Sequence, residues 1–392
     1  MSTVEAPAKN KTHRARPRPP FEQIALVLQG GGALGAYQAG VYEALAEAGL
    51  HPDWVAGISI GAINTAIIAG NPPESRVDKL RAFWEGATSP FWQGMEALSG
   101  QFVSGDALRS IMNQLSATFA VSSGAAGFFS PRLSPPWLAP AGTPEAISYY
   151  DTTPLRQTLE RLVDFDRINS GEMRLSVGAV NVRSGNFAYF DTRTHTIGPE
   201  HIMASGALPP GFPAVEIEGE HYWDGGLVSN TPLQWVMADT PRRDTLVFQV
   251  DLWDARGENP RTMMQVMTRE KEIQYSSRTR ANSDRVRQMR QLRNLLAKLL
   301  QQVPAELRES PEFAVLREES TRKVTNLVHL IYRAKQYEGD SKDYEFSRLS
   351  MRDHWRSGYN DTVRTLRHPA VLERPQNEEG FLTFDLSRDG SD

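Results

Sequence analysis

The sequence predicts an α/β protein with a mainly parallel central sheet and helices on both faces. A short apolar run at residues 24–28 leads through a glycine loop into a helix of residues 36–49. A second apolar run, residues 54–56, leads through a tight turn into a helix of residues 62–69. This strand–helix–strand–helix order is typical of parallel strands joined by helical crossovers. Continuous apolar runs of this length are typical of strands buried on both faces.

The composition excludes several kinds of site. The chain has 392 residues and no cysteine, so disulfides, thiol catalysis and cysteine-ligated metals are excluded. The formal net charge of −4 gives no support for a nucleic-acid partner, and we expect none. No apolar run approaches the length of a membrane span. We therefore expect a cytoplasmic protein whose membrane contact, if any, is peripheral and on the inner face; its oligomeric state stays open.

A serine stands at the tight turn after the second predicted strand. Gly57, Ser59 and Gly61 form a Gly-x-Ser-x-Gly motif between a strand and a helix. In this setting the motif is a nucleophile elbow, whose glycines let the backbone bend sharply and leave the serine hydroxyl exposed. The start of the following helix favours negative charge beside the serine. Ser59 is therefore the predicted nucleophile.

The glycine loop after the first strand has two interpretations. Gly30, Gly32 and Gly35 fit the Gly-x-Gly-x-x-Gly fingerprint of dinucleotide-binding folds. That fingerprint needs an acidic residue at the end of the second strand, whereas Asp53 stands at the beginning of that strand. In the alternative, the N–H groups of Gly30, Gly31 and Gly32 stabilise an oxyanion. Neighbouring parallel strands end at the same edge of a sheet, so this loop can face Ser59.

An aspartate lies at the end of a later predicted strand. Asp224 closes a hairpin and is followed by Gly225 and Gly226, which allow another backbone to approach closely. A serine nucleophile needs a base, which is usually histidine. The order Ser–Asp–His could be completed by His354, but no local signature supports that residue. His221 also lacks a recognisable catalytic loop, and His329 lies inside an apolar run, where we expect a core residue.

Together these motifs resemble those of the patatin-like phospholipase family. The resemblance covers residues 24–232 and includes the glycine loop, the serine motif and the Asp-Gly-Gly motif at Asp224. Residues 204–209 also resemble the Ala-Ser-x-x-x-Pro stretch that precedes the family's aspartate. The resemblance implies a three-layer α/β sandwich and a Ser–Asp dyad in place of a triad. Leu34 departs from the pattern, because many members carry Arg or Lys at this position.

The resemblance implies an acyl-transfer mechanism. Asp224 accepts the proton of Ser59, which attacks an ester carbonyl while the glycine loop stabilises the oxyanion. Water then releases the acid from the acyl-enzyme, and no metal or cofactor is required. We predict a serine lipid acyl hydrolase that acts on phospholipids or lysophospholipids. The alternatives are a catalytically silent lipid-binding scaffold, suggested by Leu34, and a dinucleotide-binding module.

Changes in composition divide the chain into segments. Residues 1–20 combine basic residues with prolines and lack the apolar core of a secretory signal, which predicts a disordered tail. The catalytic domain is predicted at residues 21–254, with an insert at residues 98–150. The insert is rich in Ser, Gly and Pro, and we expect a mobile cap over an apolar channel. Residues 255–372 are predicted to form a mainly helical extension with one strand, and residues 373–392 a loosely held tail.

A long basic helix is predicted at residues 275–302. In one interpretation its apolar stripe packs on the body and a basic face remains in solvent. In the other, the helix rests on an anionic membrane surface. We predict a lipid substrate and peripheral membrane contact through this helix. The stripe consists of Val286, Met289, Leu292, Leu296 and Leu299.

Overall fold

The computed structural model describes most of the chain. The described residues are 13–14, 17–88, 116–118, 120–276, 279–320, 323–334, 338–339 and 341–386. Most of the predicted N-terminal tail lies outside these ranges, and so do residues 98–115 of the predicted insert. Within the described ranges, no helix is long and apolar enough to cross a membrane.

Parallel strands form the centre of the molecule. The strands are β1 (Gln23–Leu28), β2 (Trp54–Gly57), β3 (Ser130–Pro131), β4 (Tyr150–Asp151), β5 (Arg174–Asn181), β6 (Phe187–Asp191), β7 (Val215–Ile217), β8 (Glu220–Asp224), β9 (Thr245–Asp251), β10 (Thr325–Ile331) and β11 (Phe381–Phe384). The strand order in the main sheet is β11-β10-β9-β1-β2-β5-β8-β7, and β6 also pairs with β5. Neighbours from β11 to β5 are parallel, whereas β6, β7 and β8 pair in antiparallel fashion. The predicted mainly parallel sheet is thus confirmed.

Helices cover both faces of this sheet. Along β1, Ile24, Leu26 and Leu28 enter a large core that also contains side chains of the first two helices. Ala25 and Val27 point to the opposite face and enter a smaller core. The protein is therefore the predicted three-layer α/β sandwich. The helices are α1 (Ala36–Glu47), α2 (Ile60–Ala69), α3 (Arg76–Ala87), α4 (Thr153–Leu162), α5 (Phe165–Asn169), α6 (Pro199–Ser205), α7 (Leu233–Met237), α8 (Met263–Tyr275), α9 (Thr279–Leu300), α10 (Pro311–Glu319) and α11 (Arg348–Leu366).

The C-terminal part of the chain extends the sheet. β10 pairs in parallel with both β9 and β11. The expectation of a loosely held tail at residues 373–392 is wrong for residues 381–384, which form β11. Phe381 is 2% exposed and belongs to the smaller core, so apolar burial holds this strand in place.

Helices α1 and α11 pack at close range because glycines stand where they cross. A Cβ atom at Gly40 would collide with the Trp355 carbonyl, and one at Gly358 would collide with the Tyr37 carbonyl. The Tyr37 hydroxyl donates to Asp361 Oδ2 at 2.9 Å across the same interface. Helix α11 belongs to the predicted C-terminal extension, which therefore packs directly on the first helix of the sandwich.

The predicted helix of residues 275–302 is observed as α9, and a break separates it from α8. α8 ends at Tyr275 and α9 begins at Thr279. Ser276, the C-terminal capping residue of α8, has an extended backbone conformation. The side-chain amides of Asn230 and Gln29 donate to the Tyr275 carbonyl at 2.8 and 3.1 Å. These bonds satisfy a carbonyl that another helical turn would otherwise use, which explains the break.

The surface of α9 differs from the interpretation in which its apolar stripe packs on the body and its basic face stays in solvent. Arg290 donates to Lys323 O and Thr325 Oγ1, and Arg293 lies 3.9 Å from Glu319. These cations therefore face the protein, as does Val286, which packs on the smaller core. Part of the apolar stripe is instead exposed to solvent: Met289, Leu292 and Leu299, together with Leu295.

The close crossing of α1 and α11 predicts that Gly358→Ala destabilises the whole domain. The added methyl group has no space beside a backbone carbonyl, so we expect a loss of about 1–3 kcal/mol in the free energy of unfolding. Chemical denaturation measures this loss. Gly86→Ala is the control, because nothing lies near that position of α3; alanine there should stabilise by up to about 1 kcal/mol. Equal stability of the two variants would contradict the packing described here.

Candidate active site

A strained turn stands at the carboxyl end of β2, where the sequence predicts a nucleophile elbow. Ser59 has φ 55° and ψ −123°, a conformation that a non-glycine residue adopts only under strain. A Cβ at Gly57 would collide with Gly61, and a Cβ at Gly61 would collide with the Leu28 carbonyl. Glycine at both positions therefore lets the chain turn beside β1. The turn places Ser59 in the lining of a cavity.

The backbone of the elbow is tied to the neighbouring strand through a second serine. The N–H of Ser59 donates to both the carbonyl and the hydroxyl oxygen of Ser205, each at 3.1 Å. The Ser205 hydroxyl donates in turn to the Gly178 carbonyl of β5 at 2.7 Å. This arrangement gives a structural role to the Ala-Ser-x-x-x-Pro stretch. It fixes the strained turn, and it occupies the N–H of Ser59.

Asp224 lies beside Ser59 at the end of β8. Asp224 pairs with Ala179 of β5 and is only 2% exposed. The Gly226 N–H donates to Asp224 Oδ1 at 2.7 Å. Burial raises the pKa of the Asp224 carboxyl from its ordinary 3.8 to about 6, although hydrogen bonds from the Ser59 side chain and Gly226 oppose the rise. Gly225 packs against Gly178, where a Cβ would lie 2.6 Å from the carbonyl oxygen.

None of the three candidate histidines lines the cavity that contains Ser59 and Asp224. His354 lies in α11, 3.4 Å from Glu338. His329 is buried in β10, and burial lowers its pKa to about 4. His221 lies on β8, with its side chain outside the cavity lining. The structure therefore brings together the serine and the aspartate without a histidine of this set.

The three loop glycines differ in what their N–H groups do. The N–H of Gly30 donates to the Asn230 carbonyl at 3.2 Å, so the prediction of Gly30 as an oxyanion donor is wrong for this structure. Among the described residues, no protein acceptor takes the N–H of Gly31 or Gly32. Gly32 has φ 54°, and a Cβ there would collide with the Asp343 carbonyl. Two N–H groups therefore remain available at the cavity.

Three polar side chains that the sequence did not identify hold this loop. Asn230 Nδ2 donates to the Gly30 carbonyl at 3.0 Å, and Trp253 Nε1 donates to the same oxygen at 3.0 Å. Gln29 Oε1 accepts from the backbone N–H of Trp253 at 2.9 Å. The Asp343 carbonyl accepts the Ala33 N–H at 2.7 Å. Their local sequences carry no motif, because the partners come from distant parts of the chain.

The positions of Leu34 and Gly35 explain two features of the motif. Leu34 is completely buried in the large core and is absent from the cavity lining. A cationic side chain that followed the direction of Leu34 would therefore enter the core and not this cavity. A Cβ at Gly35 would lie 2.5 Å from Ile60, so glycine lets the loop pack against α2.

The cavity above Ser59 has a volume of about 330 Å³ and is mostly apolar. The insert contributes Phe128, Phe129 and Tyr150 to its wall. The C-terminal part of the chain contributes Tyr344 and Phe346. In the described part of the chain, no group of three or more His, Asp or Glu side chains could hold a metal ion. The site thus combines a serine hydroxyl beside a buried carboxyl with an apolar space, a combination that acyl transfer from an apolar ester requires.

The dinucleotide interpretation lacks its acidic residue in the structure. Asp53 precedes β2, and its Oδ2 accepts the Ile24 N–H at 2.7 Å. The end of β2, where a ribose would be bound, carries the serine elbow instead. The loop glycines line the cavity that contains Ser59.

The raised pKa of Asp224 predicts that Asp224→Asn stabilises the fold above pH 6. A carboxyl whose pKa is raised on folding disfavours the folded state as it ionises, between about pH 4 and pH 6. At pH 8 we expect the variant to be more stable by up to about 3 kcal/mol, and near pH 3.5 the difference should vanish. Thermal denaturation across this range measures the effect. Glu309→Gln, at an exposed position, is the control. A difference in stability between Asp224→Asn and the parent that does not change with pH would argue against a carboxylate destabilised by burial.

Curated relatives match a short part of the chain. A lysophospholipase of Aspergillus terreus is 45% identical over 69 residues, which is 18% of this chain and 4% of the relative. A patatin-like phospholipase domain-containing protein of Caenorhabditis elegans is 41% identical over 70 residues, 18% of this chain and 5% of the relative. The matched segment therefore spans about a twentieth of the length of these relatives.

Solved structures and family models match more of the chain. The crystal structure of VipD from Legionella pneumophila aligns with a TM-score of 0.39 and 14% identity, covering 99% of this chain and 77% of that one. A family model described as patatin-like phospholipase matches residues 26–237, more than half of the chain. A second model, described as patatin phospholipase, matches residues 273–378. The chain therefore belongs to the patatin-like phospholipase family.

Proposed function

We propose that this protein is a serine hydrolase that cleaves carboxylic esters of phospholipids or lysophospholipids. The observation that carries the proposal is the buried Asp224 carboxyl, which accepts a hydrogen bond from the Ser59 side chain. Both side chains line an apolar cavity of about 330 Å³. Family membership and the lysophospholipase relative support the substrate class.

The proposed reaction begins with proton transfer from Ser59 to Asp224. An aspartate with its ordinary pKa is a weak base, and burial strengthens it by raising the pKa to about 6. The Ser59 Oγ then forms a bond to the ester carbonyl carbon, and the alcohol leaves with the proton that Asp224 holds. In the second half, Asp224 accepts a proton from water, and the water oxygen bonds to the acyl carbon. The bond between that carbon and Ser59 Oγ then breaks, the fatty acid leaves, and Asp224 returns the proton to Ser59.

We assign stabilisation of the oxyanion to the N–H groups of Gly31 and Gly32. These donors line the cavity and have no protein acceptor among the described residues. The Gly30 carbonyl accepts hydrogen bonds from Asn230 and Trp253, which fix the plane of the peptide that carries the Gly31 N–H. Fixed donors of this kind favour the charge that develops in the transition state.

A silent lipid-binding scaffold is the second candidate function. The sequence suggested it because Leu34 replaces the basic residue of many relatives. In the structure Leu34 lies in the large core, so its identity does not alter the cavity lining. The elbow, the aspartate and two available N–H groups favour catalysis over the silent scaffold.

The dyad predicts that Ser59→Ala and Asp224→Asn both abolish ester hydrolysis. Without the nucleophile or its base we expect kcat to fall by roughly 1000-fold or more. Release of fatty acid from phospholipid and from lysophospholipid measures kcat for each variant. Asp361→Asn is the matched control, because Asp361 is another carboxyl of raised pKa that accepts from a hydroxyl, that of Tyr37, outside the cavity. Unchanged kcat in Asp224→Asn would show that Asp224 is not the base.

The brace on the glycine loop predicts a selective effect of Asn230→Ala. Loss of its bonds to the Gly30 and Tyr275 carbonyls should misplace the oxyanion donors, with a fall in kcat of roughly 100- to 1000-fold. Asn71→Ala is the control, since the Asn71 amide also donates to two carbonyls, at 2.8 Å each, but lies outside the cavity. Both variants should lose stability in thermal denaturation. A similar fall in kcat for both would mean that Asn230 acts through stability alone.

A further inference from the structure

The loop of residues 132–149, which joins β3 to β4, exposes a cluster of apolar side chains. Leu133 is 103% exposed, Trp137 76% and Leu138 73%. Apolar clusters of this kind on a folded protein mark a surface that binds a partner. We call the cluster the tip surface. It consists of Leu133, Trp137, Leu138, Ile147 and Tyr149.

Internal bonds brace the loop that carries the tip surface. The side chain of Arg132 donates to Ser148 Oγ at 3.1 Å and lies 3.5 Å from the Glu145 carboxylate. The Ser148 hydroxyl, which is buried, donates to the Pro144 carbonyl at 2.8 Å. Pairing of β3 with β4 closes the base of the loop. The exposed apolar side chains are therefore carried by a loop of defined conformation.

The loop is also nearly free of charge. Arg132 and Glu145 are its charged residues, and they pair with each other. The remaining residues are apolar, small or proline. A surface that combines Trp, Tyr and Leu without net charge has the composition of segments that enter the interfacial layer of a bilayer. It carries no charge pattern with which a protein partner could be selected.

The tip surface is continuous with the active-site cavity. The N–H groups of Tyr149 and Tyr150 donate to the Pro210 and Gly211 carbonyls, at 3.2 and 2.9 Å. Tyr150, Pro210 and Gly211 all line the cavity. Val121 and Leu208, which are 48% and 36% exposed, also belong to the cavity wall. Apolar surface thus extends from the loop to the space above Ser59.

We propose that the tip surface docks the protein onto a phospholipid bilayer, with the cavity mouth at the membrane. This proposal rests on the proposed function and adds that the protein takes its lipid substrate from a bilayer. Burial of the tip surface in the interfacial layer removes exposed apolar area from water. A lipid can then reach the cavity along an apolar path, because the loop leads directly into Tyr150, which lines the cavity wall.

The exposed stripe of α9 offers a different membrane contact, as the sequence predicted. Its exposed residues, which include Leu292 and Leu295, do not line the cavity. Arg290 and Arg293 of this helix face protein partners, so these two cations add little attraction for anionic lipid. The stripe therefore provides a matched comparison of similar exposure and residue type.

Vesicle binding by full-length protein tests the proposal. All proteins carry Ser59→Ala, so that hydrolysis does not change the vesicles, and binding to phosphatidylcholine vesicles is measured by sedimentation. We expect Trp137→Asp with Leu138→Asp to weaken binding by about tenfold or more, given the area that each side chain buries. The matched variant, Leu292→Asp with Leu295→Asp, should bind as the parent does. Equal loss in both variants, or loss in the α9 variant alone, would overturn the proposal.

Hydrolysis separates this proposal from the proposed function. In proteins that retain Ser59, the tip variant should lose vesicle hydrolysis by the same factor as binding, while hydrolysis of a soluble short-chain ester stays unchanged. Inactivity of the parent on both substrates would refute the proposed function and leave the binding result intact. Equal loss of hydrolysis on both substrates would show that the double change had damaged the cavity. In that case the single change Leu133→Asp, at a fully exposed position, repeats the test.

Size-exclusion chromatography with light scattering examines whether a second copy covers the tip surface. We expect the same mass for the parent and the tip variant. A parent dimer that the tip variant converts to a monomer, with vesicle binding unchanged, would assign the surface to self-association and overturn the membrane proposal.

Discussion

The burial of Asp224 beside Ser59 is the constraint on which the rest of the site depends. A carboxylate without water is unfavourable unless donors are directed at it, and Gly226 and the Ser59 side chain supply them. The two residues come from strands on either side of β5, and the sheet fixes their separation. The Ser205 hydroxyl bridges the elbow to β5 and prevents the strained turn from relaxing.

The C-terminal part of the chain completes this site instead of forming an appendage. The Tyr275 carbonyl accepts from Asn230 at the break between α8 and α9, and the Asp343 carbonyl lies against Gly32. Tyr344 and Phe346 close one wall of the cavity, and the insert closes another. Packing of α11 on α1 holds this region on the sandwich. Changes far from Ser59 in sequence can therefore alter the geometry of the glycine loop.

Local signals in the sequence predicted much of this architecture, and long-range contacts explain what it missed. Apolar runs and glycine turns identified β1, β2 and the elbow, because the physical requirement acts within a few residues of Ser59. The same reasoning placed Gly30 among the oxyanion donors, although its N–H bonds the carbonyl of a residue 200 positions away. The break between α8 and the basic helix α9 depends on Asn230 and Gln29, and β11 depends on burial of Phe381. No pattern near those residues reveals their partners.

The rate at which a fluorophosphonate ester labels Ser59, measured from pH 4.5 to pH 8.5, tests the central claim most directly. Because Asp224 must be ionised to accept the proton, the rate in the parent should fall as pH decreases, with an apparent pKa near 6. In Asp224→Asn the labelling should be slow and nearly independent of pH over this range. Peptide mass mapping should place the adduct on Ser59. Rapid labelling that is insensitive to pH in the parent, or an adduct on another residue, would contradict the Ser59–Asp224 dyad.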